Sequence, residues 1–304
     1  MAILPIRRFE ARDTEAAAAL ISAEWPHRAD EAELFRRGEY HDVGERWAAA
    51  DPSGGGLVAY ASLWRVLDDR FRMDLVVAPE WRRQGIGGKM MEMAVAAAEA
   101  AGAATLQARA YGDATDALRF LEHRGFAETM RMVGLRLDLR TLDDARLAAY
   151  EHATAAQGFE LTSLAEEERR NPGCRRELRE VFAAAQEGWR DPDPRPGPPE
   201  PIGHDAFLRR MDEFPLDPAA FVIARHGERY AGFAGSIGTV VHPDFRGRGL
   251  ASALKARVAL YARAAGKETL ETCTGHPAML RANENVGYRR TWTEVRLVRR
   301  LAPP

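Results

Sequence analysis

Two short stretches of the sequence carry residues suited to holding an anion. One reads Arg82-Arg83-Gln84-Gly85-Ile86-Gly87-Gly88 and the other Arg246-Gly247-Arg248-Gly249-Leu250-Ala251. Each follows an apolar strand-like run, Leu75-Val76-Val77 or Thr239-Val240-Val241, and each opens directly into an Ala-rich helical stretch. The start of a helix exposes several unpaired N–H groups and carries roughly half a positive charge. Glycine lets a bulky anion approach the backbone closely, and the arginines add charge beside it. The chemistry suited to this arrangement is the binding of a phosphate or pyrophosphate.

Two common phosphate motifs fit poorly. A P-loop needs Gly-Lys-Ser/Thr, and neither stretch has it. Gly247-Arg248-Gly249 followed by Ala251-Ser252 approximates the dinucleotide fingerprint, and Glu271 falls about 20 residues on, where a ribose-binding acid belongs. That fold places its glycines immediately after the first strand. Here Pro-x-aromatic-Arg intervenes, late in the unit and after an antiparallel hairpin, so the dinucleotide reading is set aside.

The elements that position these loops are repeated. Pro79 and Pro243, Arg82 and Arg246, and Gly85 and Gly249 share one offset of 164 positions. Both loops lead into a helix, a short strand and a second helix ending in Gly-aromatic, at Gly125-Phe126 and Gly287-Tyr288. A fixed period of this kind marks a duplicated unit. The first copy reads as strand Ile3–Phe9, helix Thr14–Glu24, a helix around Asp30–Tyr40, strands Glu45–Ala50, Gly56–Val66 and Phe71–Val77, and helix Gly88–Ala101 with Gly102 as its left-handed cap. Strand Thr105–Ala110, helix Ala114–Arg124 and strand Glu128–Leu139 close it. Thr141–Gly158 reads as a linking helix. The second copy runs from Phe159, with strands Phe221–Arg225, Arg229–Ala234 and Ile237–Val241 and a much shorter hairpin. Its proline-rich stretch Asp191–Pro201 reads as a loop within the copy. The expected domains are therefore 1–140 and 159–304, joined by 141–158.

With 304 residues, the chain has room for two domains of ordinary size. The 43 basic and 45 acidic residues nearly cancel, which argues against nucleic acid as a partner. Two cysteines, Cys174 and Cys273, make neither a disulfide framework nor a CxxC metal site. No apolar run approaches the roughly 20 residues of a membrane span, and the first residues lack signal-peptide order. A cytoplasmic monomer or homodimer is expected, with no membrane partner.

The pattern Val-x-Pro-x-aromatic-Arg-x-x-Gly-x-Gly/Ala, followed by helix, strand and a helix ending in Gly-Phe/Tyr, resembles the GCN5-related N-acetyltransferases (GNAT). The tandem layout resembles two-domain members of that family. The resemblance implies an α/β (α+β) fold of two GNAT-like domains, each a mixed, mostly antiparallel sheet flanked by helices. It implies acetyl-CoA as co-substrate, held by the backbone amides of Arg82, Arg83, Gln84, Gly85, Ile86, Gly87 and Gly88, and of Arg246, Gly247, Arg248, Gly249, Leu250 and Ala251. The strand ends Val76-Val77 and Val240-Val241 would pair with the pantetheine arm, with the Val77 amide as oxyanion donor. The acceptor would be a primary amine of a small molecule or peptide.

Asp74 stands where family members often carry a carboxylate, and it reads either as a general base or as a strand residue paired with an arginine such as Arg72. The second copy has Gly238 there. Many relatives place a general-acid tyrosine four residues before the Gly-aromatic glycine, but here those positions hold Leu121 and Asn283. Leu121 reads as helix core, whereas Asn283 could hydrogen-bond the cofactor. His276 reads as a helix cap, and Cys273, with nothing nearby to activate it, as buried filler. The fuller hairpin and Asp74 favour the first copy as the catalytic one. Trp25, His27, Arg28 and Glu31 in that copy, or Trp189 and the proline-rich loop in the second, would lie near the acceptor. The missing tyrosines leave open a second class of function, a non-catalytic acyl-CoA-binding or sensing protein.

Overall fold

The computed structural model describes residues 4–26, 36, 43–54, 56–67, 69–186 and 217–301. Apart from Arg36, the expected helix around Asp30–Tyr40 lies outside these residues, as do His27, Arg28, Glu31, Trp189 and the proline-rich loop. The chain forms two compact units, residues 1–131 with 292–304, and residues 132–291.

The first unit contains strands β1 (Ile6–Arg8), β2 (Val43–Ala50), β3 (Leu57–Leu67), β4 (Arg70–Val77), β5 (Thr105–Tyr111) and, from the far end of the sequence, β12 (Arg289–Arg300). They follow one another in that order across the sheet. All neighbours are antiparallel except β4 and β5, which run parallel. Side chains alternate between faces along each strand. On one face Phe71, Met73, Leu106, Ala108, Val295 and Leu297 form a core with helix α2 (Ile86–Ala100) and helix α3 (Thr115–Glu122). On the other face Tyr60 and Val76 pack against Ala17, Ala18 and Ile21 of helix α1 (Thr14–Glu24).

The second unit contains β6 (Ala127–Asp138), helix α4 (Asp144–Ala155), β7 (Phe159–Ser163), α5 (Leu164–Arg170), α6 (Cys174–Gln186), β8 (Val222–His226), β9 (Arg229–Gly235), β10 (Gly238–Val241), α7 (Leu250–Ala264), β11 (Thr269–Thr274) and α8 (Pro277–Val286). An antiparallel sheet of order β10-β9-β8-β7 carries one part of the core, with Leu250 and Leu254 of α7 against Val222, Ala224 and Ala231. Another part gathers Ala256, Ala259 and Ala262 of α7 with Leu135 and Leu137 of β6 and with Val286 and Tyr288. Arg257 of α7 donates twice to the Glu151 carboxylate on α4, at 2.6 Å each.

The element order follows the sequence reading, and mostly antiparallel sheets flanked by helices are found in both units. The closing strands differ from that reading in their partners. β6 ends the first copy of the repeat, yet it pairs with β11 of the second, Leu137 facing Leu270. β12 ends the second copy, yet it pairs with β5 of the first, Leu297 facing Ala108. The two closing strands are exchanged between copies. No helix among the described residues is long and apolar enough to cross a membrane.

Candidate functional site

The glycine loops of the two copies fold alike. In the first, the Trp81 N–H donates to Ala78 O, Arg82 N–H to Pro79 O, and Arg82 Nε to Val77 O at 3.0 Å. In the second, Phe245 donates to His242 O, Arg246 to Pro243 O, and Arg246 Nε to Val241 O at 3.3 Å. Gly85 and Gly249 stand in the left-handed region, with φ of 87° and 80°, as the residues that open α2 and α7. That conformation costs an L side chain roughly 1–2 kcal/mol and suits glycine.

Both helices begin without a side-chain cap and without an acidic residue in the first turn. By contrast α4, α5 and α8 are capped by Asp143, Ser163 and His276. The first-turn N–H groups of α2, from Ile86, Gly87 and Gly88, and of α7, from Leu250 and Ala251, are thus left to an anion, as the helix dipole favours. The Arg82 and Arg246 amides, expected to face the anion, are turned instead into the preceding turn, onto Pro79 O and Pro243 O. Arg82 is tied to the Glu24 carboxylate at the end of α1, and Arg246 Nη2 donates to Ala185 O at the end of α6, at 2.9 Å. They pin the loop to a neighbouring helix, while the cradle itself is backbone. Gln84 donates to Glu80 O, and Arg248 lies over the Phe159 and Phe245 rings.

The strands beside the loop part company. β4 and β5 pair only over Arg70–Arg72 and Thr105–Gln107, so Met73–Val77 runs on with a free edge towards the gap. The Ala78 N–H donates to Val58 O, continuing the ladder to β3. By alternation the Val76 backbone also faces β3, opposite Tyr60, and the Val77 N–H faces the gap. This corrects the expectation for Val76, whose backbone is committed to the sheet and whose side chain packs under α1. The second unit follows the same rule. His242 donates to Ala231 O, so Val240 faces β9 and Val241 faces away.

Asp74 is buried, 7% exposed, where the strands diverge. Its Oδ1 accepts from Arg109 Nη2 at 2.9 Å and Nε at 3.3 Å, and its Oδ2 lies 3.6 Å from Arg72 Nε. Both hydrogen bonds from Arg109 fall on Oδ1, and Arg72 stands beside Oδ2 as a charge partner without a hydrogen bond, so Asp74 takes part in an ion pair as one of its two expected readings has it. Leu121 is buried in the core, as expected. His276 caps α8, its Nδ1 accepting from Ala278 N at 3.2 Å. Asn283 is fully buried, and neither of its amide atoms has a hydrogen-bond partner among the described residues. Cys273 corrects its expectation. It is exposed, because strand alternation turns Thr274 inward instead.

Arg109 and Arg124 were not singled out by the sequence. The Arg124 guanidinium stacks on the Phe120 ring at 3.8 Å and comes within 3.2 Å of where a Cβ on Gly88 would stand. It brings a cation to the first turn of α2, where the second copy has Val286. Only its place just before Gly125-Phe126 hinted at the loop. In α7, Lys255 is almost fully buried with its Nζ 5.7 Å from the Tyr288 ring, and burial pulls its ammonium pKa down to about 8. Burial likewise pushes Tyr288 up to about 12.

Comparison with known proteins adds the family. Residues 43–128 match the model described as Acetyltransferase (GNAT) domain, and residues 178–285 match the Acetyltransferase (GNAT) family. No curated protein matches. Among solved structures, the GCN5-related N-acetyltransferase from Sphaerobacter thermophilus superposes with a TM-score of 0.74 at 21% identity, over 99% of this chain and 98% of that one. A tandem GNAT protein from the clavulanic acid biosynthesis pathway gives 0.62 at 16%, over 99% and 100%. The GCN5-related glucosamine N-acetyltransferase region of a fungal multi-domain GH3 beta-N-acetylglucosaminidase gives 0.70 at 15%, over 98% of this chain and 38% of that one. At these identities the likeness is one of fold.

Proposed function

The chain is a tandem member of the GNAT acetyltransferase family, and from that premise we propose that it is an N-acetyltransferase carrying an acetyl group from acetyl-CoA to a primary amine of a small molecule or peptide. The observation that carries this reading is the uncapped, glycine-opened start of α2 beside a strand edge that offers the Val77 N–H. The residues fit the cofactor: backbone donors for a pyrophosphate, open space around Gly247 and Gly249, and a free strand edge for an extended amide-bearing arm.

When bound, acetyl-CoA supplies an activated thioester. The amides of the 83–88 loop, which includes the first turn of α2, would hold the diphosphate, with Arg124 adding charge. The Val77 N–H, which faces the gap, would be the donor for the thioester carbonyl oxygen, stabilising the negative charge that attack places there. Asp74 holds Arg109 at the floor of the gap, as a positioning residue. The acceptor would enter as the free amine and attack the thioester carbonyl directly; the C–S bond then breaks and the CoA thiolate leaves, taking up the proton that the nitrogen loses, so the products are the amide and free thiol, and proximity supplies much of the acceleration.

The first unit is assigned the chemistry, because it has the long hairpin β3–β4 and the diverging strand pair. The second unit is assigned acetyl-CoA binding. Its β10 is four residues long, and the buried Asn283 amide, which costs about 1–3 kcal/mol if left unpaired, suits a polar contact with the bound arm. Free-thiol release from acetyl-CoA on adding an amine tests the enzyme reading. Binding of acetyl-CoA without thiol release across a broad amine panel would favour the sensor reading instead.

A further inference from the structure

The two units differ at the end of the gap that lies away from the glycine loop. In the first unit that end is closed. β4 and β5 pair over Arg70–Arg72 and Thr105–Gln107, and just beyond, Arg109 Nη2 reaches across to the Asp74 carboxylate at 2.9 Å. The offset of 164 positions carries Arg70–Arg72 onto Ala234–Ser236, Asp74 onto Gly238, Thr105–Gln107 onto Thr269–Glu271 and Arg109 onto Cys273. In the second unit these residues build no such floor. Ala234 and Gly235 end β9, and Ser236 and Ile237 turn the chain into β10, with Gly238 in register with Gly235. β10 and β11 belong to separate sheets, so no ladder joins them at any point along their length. A glycine and a cysteine, both exposed, stand in place of the ion pair. A Cβ on Gly238 would meet nothing within 4 Å among the described residues. The second gap is open where the first is shut.

We propose that the second unit accepts acyl-CoA thioesters with medium-length saturated chains, which the first unit rejects. The inference rests on the reading of both glycine loops as acyl-CoA sites. An arm that starts at the loop after β4 or β10 and runs back along the strand edge points its acyl group at this end of the gap. In the first unit, Val77 to Asp74 is three residues, about 10 Å of strand, which is shorter than an extended decanoyl chain. Beyond it stand the Asp74–Arg109 pair and the β4–β5 ladder, and a longer chain has to break one or the other. In the second unit the chain passes between Gly238 and Cys273. The strands that border this gap carry Val240, Val241 and Leu270, each partly buried against an apolar cluster, so an alkyl chain there leaves water for apolar neighbours.

The test is a calorimetric titration of the full chain with acetyl-CoA and, separately, with decanoyl-CoA. Two sites per chain are expected for acetyl-CoA and one for decanoyl-CoA. Gly85→Glu, which blocks the first cradle, should keep the decanoyl-CoA site, and Gly249→Glu should lose it. Cys273→Trp sets a large ring at the position from which Arg109 spans the first gap. It should weaken decanoyl-CoA about tenfold and leave acetyl-CoA within about twofold. Two decanoyl-CoA sites, none, a single site that survives Gly249→Glu, or an affinity unmoved by Cys273→Trp would each overturn the proposal. Should a glycine variant fail to fold, the site count of the unaltered chain and the Cys273→Trp response still decide it. The acetyl-CoA titration keeps the two readings apart. Failure of both esters to bind removes the cofactor reading as well, whereas two acetyl-CoA sites without a decanoyl-CoA site remove this proposal alone.

Discussion

The Asp74 carboxylate accepts from Arg109 Nη2 at 2.9 Å, across the line where β4 and β5 stop pairing. One ion pair thus closes the floor of the gap that the Val77 N–H faces. Asp74→Asn would remove one charged partner from a nearly buried guanidinium. Breaking a fully buried pair costs roughly 3–5 kcal/mol, so urea unfolding should show a large loss of stability. Turnover should fall, with acetyl-CoA affinity within about twofold.

The same assignment fixes a pH profile. If the acceptor enters as free amine, with an ordinary pKa of about 10, log(kcat/KM) should rise by about one per pH unit from pH 6 to 9. Asp74→Asn should keep that slope. A wild-type plateau near neutrality that vanishes in the variant would instead make Asp74 the general base.

Gly85 and Gly249 are predicted to be needed for backbone conformation and for access. Gly85→Glu places a carboxylate and a strained residue at the mouth of the first cradle, and Gly249→Glu does so in the second. Each should abolish one acetyl-CoA site and spare the other, read as stoichiometry in a binding titration. Only Gly85→Glu should stop thiol release.

Much of this was legible in the sequence because it is local. A left-handed residue before a helix selects glycine, and the duplication displayed the choice twice. Even so, Arg83 holds φ at 63° where Gly247 fills the matching place, so glycine is not obligatory there. Leu121 was legible as core from its apolar helix position. The Asp74–Arg109 pair joins residues 35 positions apart, and no spacing rule selects Arg109 over the other arginines. The strand exchange was hidden for a related reason. β6 and β12 carry the same alternation, Leu135 and Leu137 in one, Val295 and Leu297 in the other, so either could have closed either unit.

The exchange predicts where damage to the C-terminal strand is felt. Leu297 is fully buried in the core of the first unit. Leu297→Ala should cost about 2–5 kcal/mol. Amide exchange should quicken in Thr105–Tyr111 while α7 and β8 stay protected. Loss of protection in the second unit alone would contradict the exchange.

Lys255 gives the second unit a pH signature. Its pKa lies at about 8 in the folded chain against 10.5 for an ordinary lysine, because burial disfavours the charged form. Below pH 8 both folded and unfolded states hold the proton, and the penalty is full, on the order of 3 kcal/mol. Between pH 8 and 10.5 only the unfolded state holds it, so stability rises with pH by up to about 1.4 kcal/mol per unit. Lys255→Met should therefore stabilise the protein at pH 7, and the advantage should shrink steadily towards pH 10. A pH-independent difference would contradict the assignment.

The most direct test of the account is a calorimetric titration of the intact chain with acetyl-CoA, read for stoichiometry. Two matched, uncapped, glycine-opened helices predict two sites per chain, reduced to one by either glutamate substitution. Absence of binding at millimolar acetyl-CoA would contradict the reading of both loops as pyrophosphate cradles, and the proposed enzyme with it.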